Sequence, residues 1–184
     1  MKKIFSASFA LISIFIFSYQ SKAQAISNED IKAQMIKDWQ RAKDYTDSYL
    51  ATMPADKYSF KAVDSIRSFA QQMLHLATAN SFFMAAVTGQ PPVFGQRNLE
   101  ESTTAAASDS VKYYVDASYD FAINGLKNLD ASKLGEKTKF FDMEDTRYVF
   151  ALKAFEHQRS NDNLHSFIGY SSATGKIVLK YEAK

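Results

Sequence analysis

The chemistry this chain can do beyond its carboxylates rests on three histidines. The 184 residues include no cysteine, which excludes disulfides, thiolate zinc ligands, iron–sulfur clusters and a cysteine nucleophile. His75 sits in the most apolar stretch beyond the first 25 residues. His157 and Asn161 fall on a stripe that otherwise reads Phe150, Ala154, Leu164 and Ile168. Residues four apart on a helix face the same way, about one turn apart. An imidazole and an amide therefore occupy positions that a core would fill with apolar side chains, and buried polar groups need partners. Neutral imidazoles suit divalent ions such as zinc or nickel, and three protein ligands plus water make an open, catalytic type of site. No interval among these residues is diagnostic of a ligand set. By spacing alone, hydrogen-bonded core histidines are the commoner explanation of such a pattern.

Four helical segments must position these side chains. Six glycines and three prolines in a chain that is 46% hydrophobic argue against a turn-rich β-sandwich and for long helices in one domain. The first helix is predicted over Asn28–Thr52, with Ser27 and Asp30 as a capping box. Its stripe is Met35, Trp39, Ala42, Thr46, Tyr49 and Met53, and Pro54 ends it. A second begins near Asp64 or Ser65, carries Ile66, Phe69, Met73, Leu76, Asn80, Phe83 and Val87, and stops at Gly89. Apolar residues around most of its surface make it the central helix. A third covers Leu99–Leu129, and a polar loop follows from Asp130 to Phe141. Asp142 caps a fourth that continues to about Tyr170. Residues 171–184 form a tail, with strand-like composition over Ile177–Tyr181. Such segments pack most economically as an all-α, up-and-down four-helix bundle over residues 26–170.

The formal charge of +2 belongs to the first segment. Lys2 and Lys3, the apolar run Ile4–Phe17 and the small residues around Ala23 and Ala25 have the pattern of a secretory signal peptide, residues 1–25, cut after Ala23 or Ala25. The run falls short of the roughly 20 residues a membrane span needs, so no stable span is expected after cleavage. Removing Lys2, Lys3 and Lys22 leaves 19 basic against 20 acidic residues, a net charge of −1. No basic run remains for nucleic acid. The expected location is periplasmic or secreted. No P-loop, dinucleotide fingerprint, GxSxG elbow or HExxH occurs, so the residues assign no catalytic role and no organic cofactor.

The segment from Met53-Pro54 through Lys57-Tyr58-Ser59-Phe60 to Arg67-Ser68-Phe69, Gln72, His75, Ala77 and Asn80 resembles the DinB-like family (DinB/YfiT). The run Phe155-Glu156-His157-Gln158-Arg159-Ser160-Asn161 resembles the same family's last-helix motif in a degenerate form. The resemblance spans about residues 30–170. It implies a bacterial four-helix bundle, often a homodimer, with a three-histidine site for a divalent ion and thiol-dependent transferase, hydrolase or isomerase chemistry. By this resemblance His75 and His157 match the first two ligands, and the third falls on Asn161, whose amide is a poorer ligand for a borderline metal. His165 is the alternative third ligand. It lies eight residues past His157, about 12 Å along a helix axis, so one ion shared by both is strained. The expected protein is thus an exported bundle with a weak divalent-metal site and a small-molecule ligand in its cavity. The alternative is a metal-free binding or structural bundle of the envelope.

Overall fold

Ser27 and Asp30 form the capping box that starts the first helix. The Ser27 hydroxyl accepts from the Asp30 amide at 3.1 Å, and the Asp30 carboxylate accepts from the Ser27 amide at 3.3 Å. The architecture comes from a computed structural model that describes residues 25–159, 168–171 and 176–179. Helix α1 spans Asn28–Thr52 and ends where Met53 turns extended ahead of Pro54, as the pattern predicts. Helix α2 spans Phe69–Thr88, α3 Ser108–Asn128 and α4 Arg147–Arg159. Short 3₁₀ turns lie at Ala55–Lys57, Leu99–Glu101 and Ala131–Gly135. The strands β1 (Lys137–Phe140) and β2 (Met143–Thr146) form an antiparallel hairpin, and β3 (Ile168–Ser171) pairs antiparallel with β4 (Lys176–Leu179).

Several boundaries differ from expectation, each for a local physical reason. Helix α2 starts at Phe69 rather than near Asp64, because Ser68 makes its own capping box with Gln71. The extended linker supplies further acceptors, with the amides of Phe69 and Ala70 donating to the carbonyls of Phe60 and Tyr58 at 3.0 and 2.8 Å. Ser68→Ala is expected to lower stability by about 1 kcal/mol, read as a shift in the urea midpoint. No shift would show that the linker carbonyls hold the helix start alone. Helix α3 starts at Ser108, nine residues later than predicted. After the Leu99–Glu101 turn the Ser102 hydroxyl takes the Ala105 amide at 3.2 Å, and such local bonds compete with helix.

The polar loop predicted from Asp130 is instead a 3₁₀ turn and the β1–β2 hairpin. Asp142 lies in the hairpin turn and caps no helix among the described residues; the hydroxyl of Thr146 accepts from the Val149 amide at the start of α4. Helix α4 does not run to Tyr170, since residues 168–171 are strand. The strand-like stretch of the tail contains β4, and its partner β3 includes Ile168–Tyr170, which the sequence pattern assigns to the fourth helix. Asn161, His165 and the predicted signal peptide up to Gln24 lie outside the described residues. Among the described residues no helix is long and apolar enough to cross a membrane.

As expected, α2 is central. It packs against both α3 and α4, while α1 packs against α3. Phe69, Met73, Leu74, Leu76, Met84 and Val87 of α2 are buried, each side chain contributing about 1.5–3 kcal/mol by leaving water. Trp39 has the packing role its position suggests. It is buried and lies edge-on to Tyr119 and Phe155, at ring separations of 5.8 and 6.0 Å. Tyr119 is core, whereas Tyr113 is exposed.

Two close approaches fix the helix registers. Arg147 Nη1 donates to the Val87 carbonyl at 2.7 Å, placing a cation at the C-terminal end of α2 and running α4 antiparallel to it. Gly125 of α3 meets Thr88 so closely that a Cβ there would stand 2.6 Å from Thr88 Cγ2. The Thr88 hydroxyl donates to the Met84 carbonyl at 2.7 Å, which holds that rotamer.

Candidate functional site

His75 lies two turns into α2, and His157 lies near the C-terminal end of α4. The antiparallel crossing set by Arg147 brings these two levels together. The imidazole centroids stand 5.3 Å apart with the ring planes tilted by 48°. Both histidines line one cavity of about 370 Å³. The two matched histidines therefore converge on one cavity. Asn80, at the end of the first motif, turns inward instead. It donates to Ser118 Oγ at 3.3 Å and does not line this cavity.

The environments of the two rings differ. His75 Nδ1 is 2.5 Å from a carboxylate oxygen of Glu100, and Arg67 Nε donates to the other oxygen at 2.6 Å. A carboxylate accepts only, so the proton of this bond sits on His75 Nδ1 and leaves Nε2 as the ring's other nitrogen. Arg67 is thus engaged by Glu100. His157 Nδ1 is buried and has no hydrogen-bond partner among the described residues. Burial, and secondarily the charges of His75 and Arg67, hold the His157 imidazole below its ordinary value of 6.5. The ring is consequently neutral at neutral pH, the form that metals bind.

These residues match a divalent ion in donor chemistry. Two imidazoles share a cavity, and one of them donates its second nitrogen's proton to a carboxylate, the usual outer support of a ligating histidine. The donor number is incomplete. Among the described residues no group of three or more histidines and carboxylates is placed to hold a metal. Of the predicted set, the structure brings together His75 and His157, and Asn161 and His165 lie outside the described residues.

Sequence reasoning missed Glu100 and the aromatic wall. Glu100 comes from the 3₁₀ turn between α2 and α3, 25 residues from the histidine it contacts, and no interval announces such a pairing. The wall joins Phe82 and Phe83 of α2 to Phe140 and Phe141 of the β1–β2 hairpin. Phe140 stacks on Phe83 at 4.2 Å, and Phe83 in turn lies 5.7 Å from His157. The alternation Thr138, Phe140 on one face of a short strand was the available signal.

Comparison with known proteins agrees with the bundle and its motifs. Residues 38–162, more than half of the chain, match the family model of the DinB superfamily. No curated protein matches the chain.

Proposed function

The chain belongs to the DinB superfamily, and on that premise we propose that it is an exported bundle whose His75 and His157 hold a divalent cation, zinc or nickel, at a ligand cavity. The observation that carries this is the pair of rings 5.3 Å apart, one braced by Glu100 and the other with a buried, unpartnered Nδ1 among the described residues. His75 and His157 would be the protein ligands, Glu100 would fix the tautomer of His75, and Arg67 would hold Glu100 in place. When bound, such an ion supplies Lewis acidity to a thiol or water for group transfer or hydrolysis. Asn161 as third donor makes the site weaker than a three-histidine one. Export rests on the pattern of residues 1–25.

The second reading is a metal-free binding bundle. The phenylalanine wall of the cavity favours it. Untagged protein separates the two. The metal reading expects a saturable rise in melting temperature with zinc or nickel and none with magnesium, which prefers oxygen ligands. Identical melts with and without these ions, in protein shown to be free of metal, would leave only the second reading.

A further inference from the structure

Phe141 is an expensive residue where it stands. It is the tip of the β1–β2 hairpin, 76% exposed, with a backbone φ of 54°. That left-handed region favours glycine or asparagine and disfavours bulky side chains. The ring lies 4.7 Å from Phe140 and 6.2 Å from Phe82, at the edge of the histidine cavity. A second cavity, of about 740 Å³, continues along the same wall and shares Phe82, Phe140 and Phe141. Core packing does not account for an exposed aromatic held in that backbone, and strained residues of this kind cluster at ligand clamps.

The charge along the wall that has no salt-bridge partner among the described residues is positive. Glu100 is already committed to Arg67 and His75. Arg97 lines the histidine cavity, and Lys139 lines its continuation. Among the described residues neither has a carboxylate partner; Arg97 Nε donates to the Phe94 carbonyl at 3.2 Å, which leaves the rest of its guanidinium fork for another acceptor. A cavity of this volume holds a small organic molecule.

We propose that the cavity binds a planar aromatic anion, its ring against Phe82, Phe140 and Phe141 and its carboxylate or similar group at Arg97. The inference rests on the reading above only in taking this cavity as the functional site. Ring-on-ring contact supplies affinity for the flat body, and Arg97 distinguishes an anion from a neutral molecule of the same shape.

Calorimetric titration of the full chain with naphthoate and with the neutral naphthamide, in chelator and again with zinc, tests this. Naphthoate is expected to bind saturably and about threefold to fivefold tighter than naphthamide, the modest gain of a solvent-accessible ion pair. Arg97→Gln is expected to remove that difference. Phe141→Asn, which suits the backbone and keeps the fold, is expected to weaken both probes about fivefold. Equal affinity for acid and amide, unchanged binding in Phe141→Asn, or no saturable binding in either medium would overturn the inference. Zinc binding without naphthoate binding overturns it while leaving the metal reading standing. Naphthoate binding in chelator, with no response to zinc, supports it and removes the metal reading.

Discussion

On the proposed metal reading, His157→Ala is expected to abolish the zinc-dependent rise in melting temperature, and Glu100→Gln is expected to weaken zinc binding about tenfold. The first follows from donor number. With two imidazoles converging among the described residues, deleting one leaves a single histidine with at most a weak amide donor beside it, too little to hold the ion. The second follows from the bracing of His75. A glutamine at 100 can still accept from His75 Nδ1 through its amide oxygen, but it loses the charge that both His75 and Arg67 use. Truncating a half-buried imidazole also lowers the starting melting temperature, so each variant is compared with its own metal-free baseline. Asn161→His should strengthen zinc binding, because imidazole replaces an amide at the position the family motif assigns to the third ligand. Retention of the full zinc response by His157→Ala would place the ion elsewhere and sink the assignment.

Gly125→Ala lowers the unfolding free energy by about 1–2 kcal/mol, and the same change in a Thr88→Ser background is neutral or stabilising. An added Cβ would lie 2.6 Å from Thr88 Cγ2, far inside van der Waals contact, and overpacking of this kind costs about 1–3 kcal/mol. Alanine is the better helix former by about 1 kcal/mol, which offsets part of that cost. Thr88 cannot rotate away freely, because its hydroxyl is bonded to the Met84 carbonyl at 2.7 Å. Serine keeps that bond and lacks the clashing methyl group. A double-mutant cycle in urea isolates the coupling. Additive effects would show that α2 and α3 separate without loss at this point.

The fold was legible where periodicity and caps agree. Ser27 with Asp30, the stripe through Trp39 and Thr46, and Pro54 define α1 to the residue. Gly89 stops α2 as read, with a φ of 76°. Starts were less legible where several hydroxyl and acidic residues compete. Asp64, Ser65 and Ser68 are all acceptable caps, and the choice of Ser68 is made by Gln71 and by carbonyls of a linker that folds back. Chain direction on a short scale gave least. Lys137–Thr146 and the paired strands Ile168–Ser171 and Lys176–Leu179 are too short and too mixed to announce themselves, and the sequence pattern assigns Ile168–Tyr170 to the fourth helix. At the site, the histidines could be found because a helix repeats its face every turn. Glu100 and Phe141 could not, since they reach the cavity only through tertiary placement.

The hairpin has a consequence for how such a molecule changes over generations. The histidines and their brace stand on α2, α4 and the turn before α3, all anchored in the buried bundle. The hairpin's share of the aromatic wall, Phe140 and the exposed tip Phe141, stands on ten residues, Lys137–Thr146, whose ladder touches the core chiefly through Phe140 against Phe83 and Phe150. Lengthening that turn, or exchanging its tip, alters what the cavity admits while leaving the helices that carry the folding energy almost untouched. With the proposed ligand at this wall, recognition and stability are inherited separately, and selection can revise one without endangering the other.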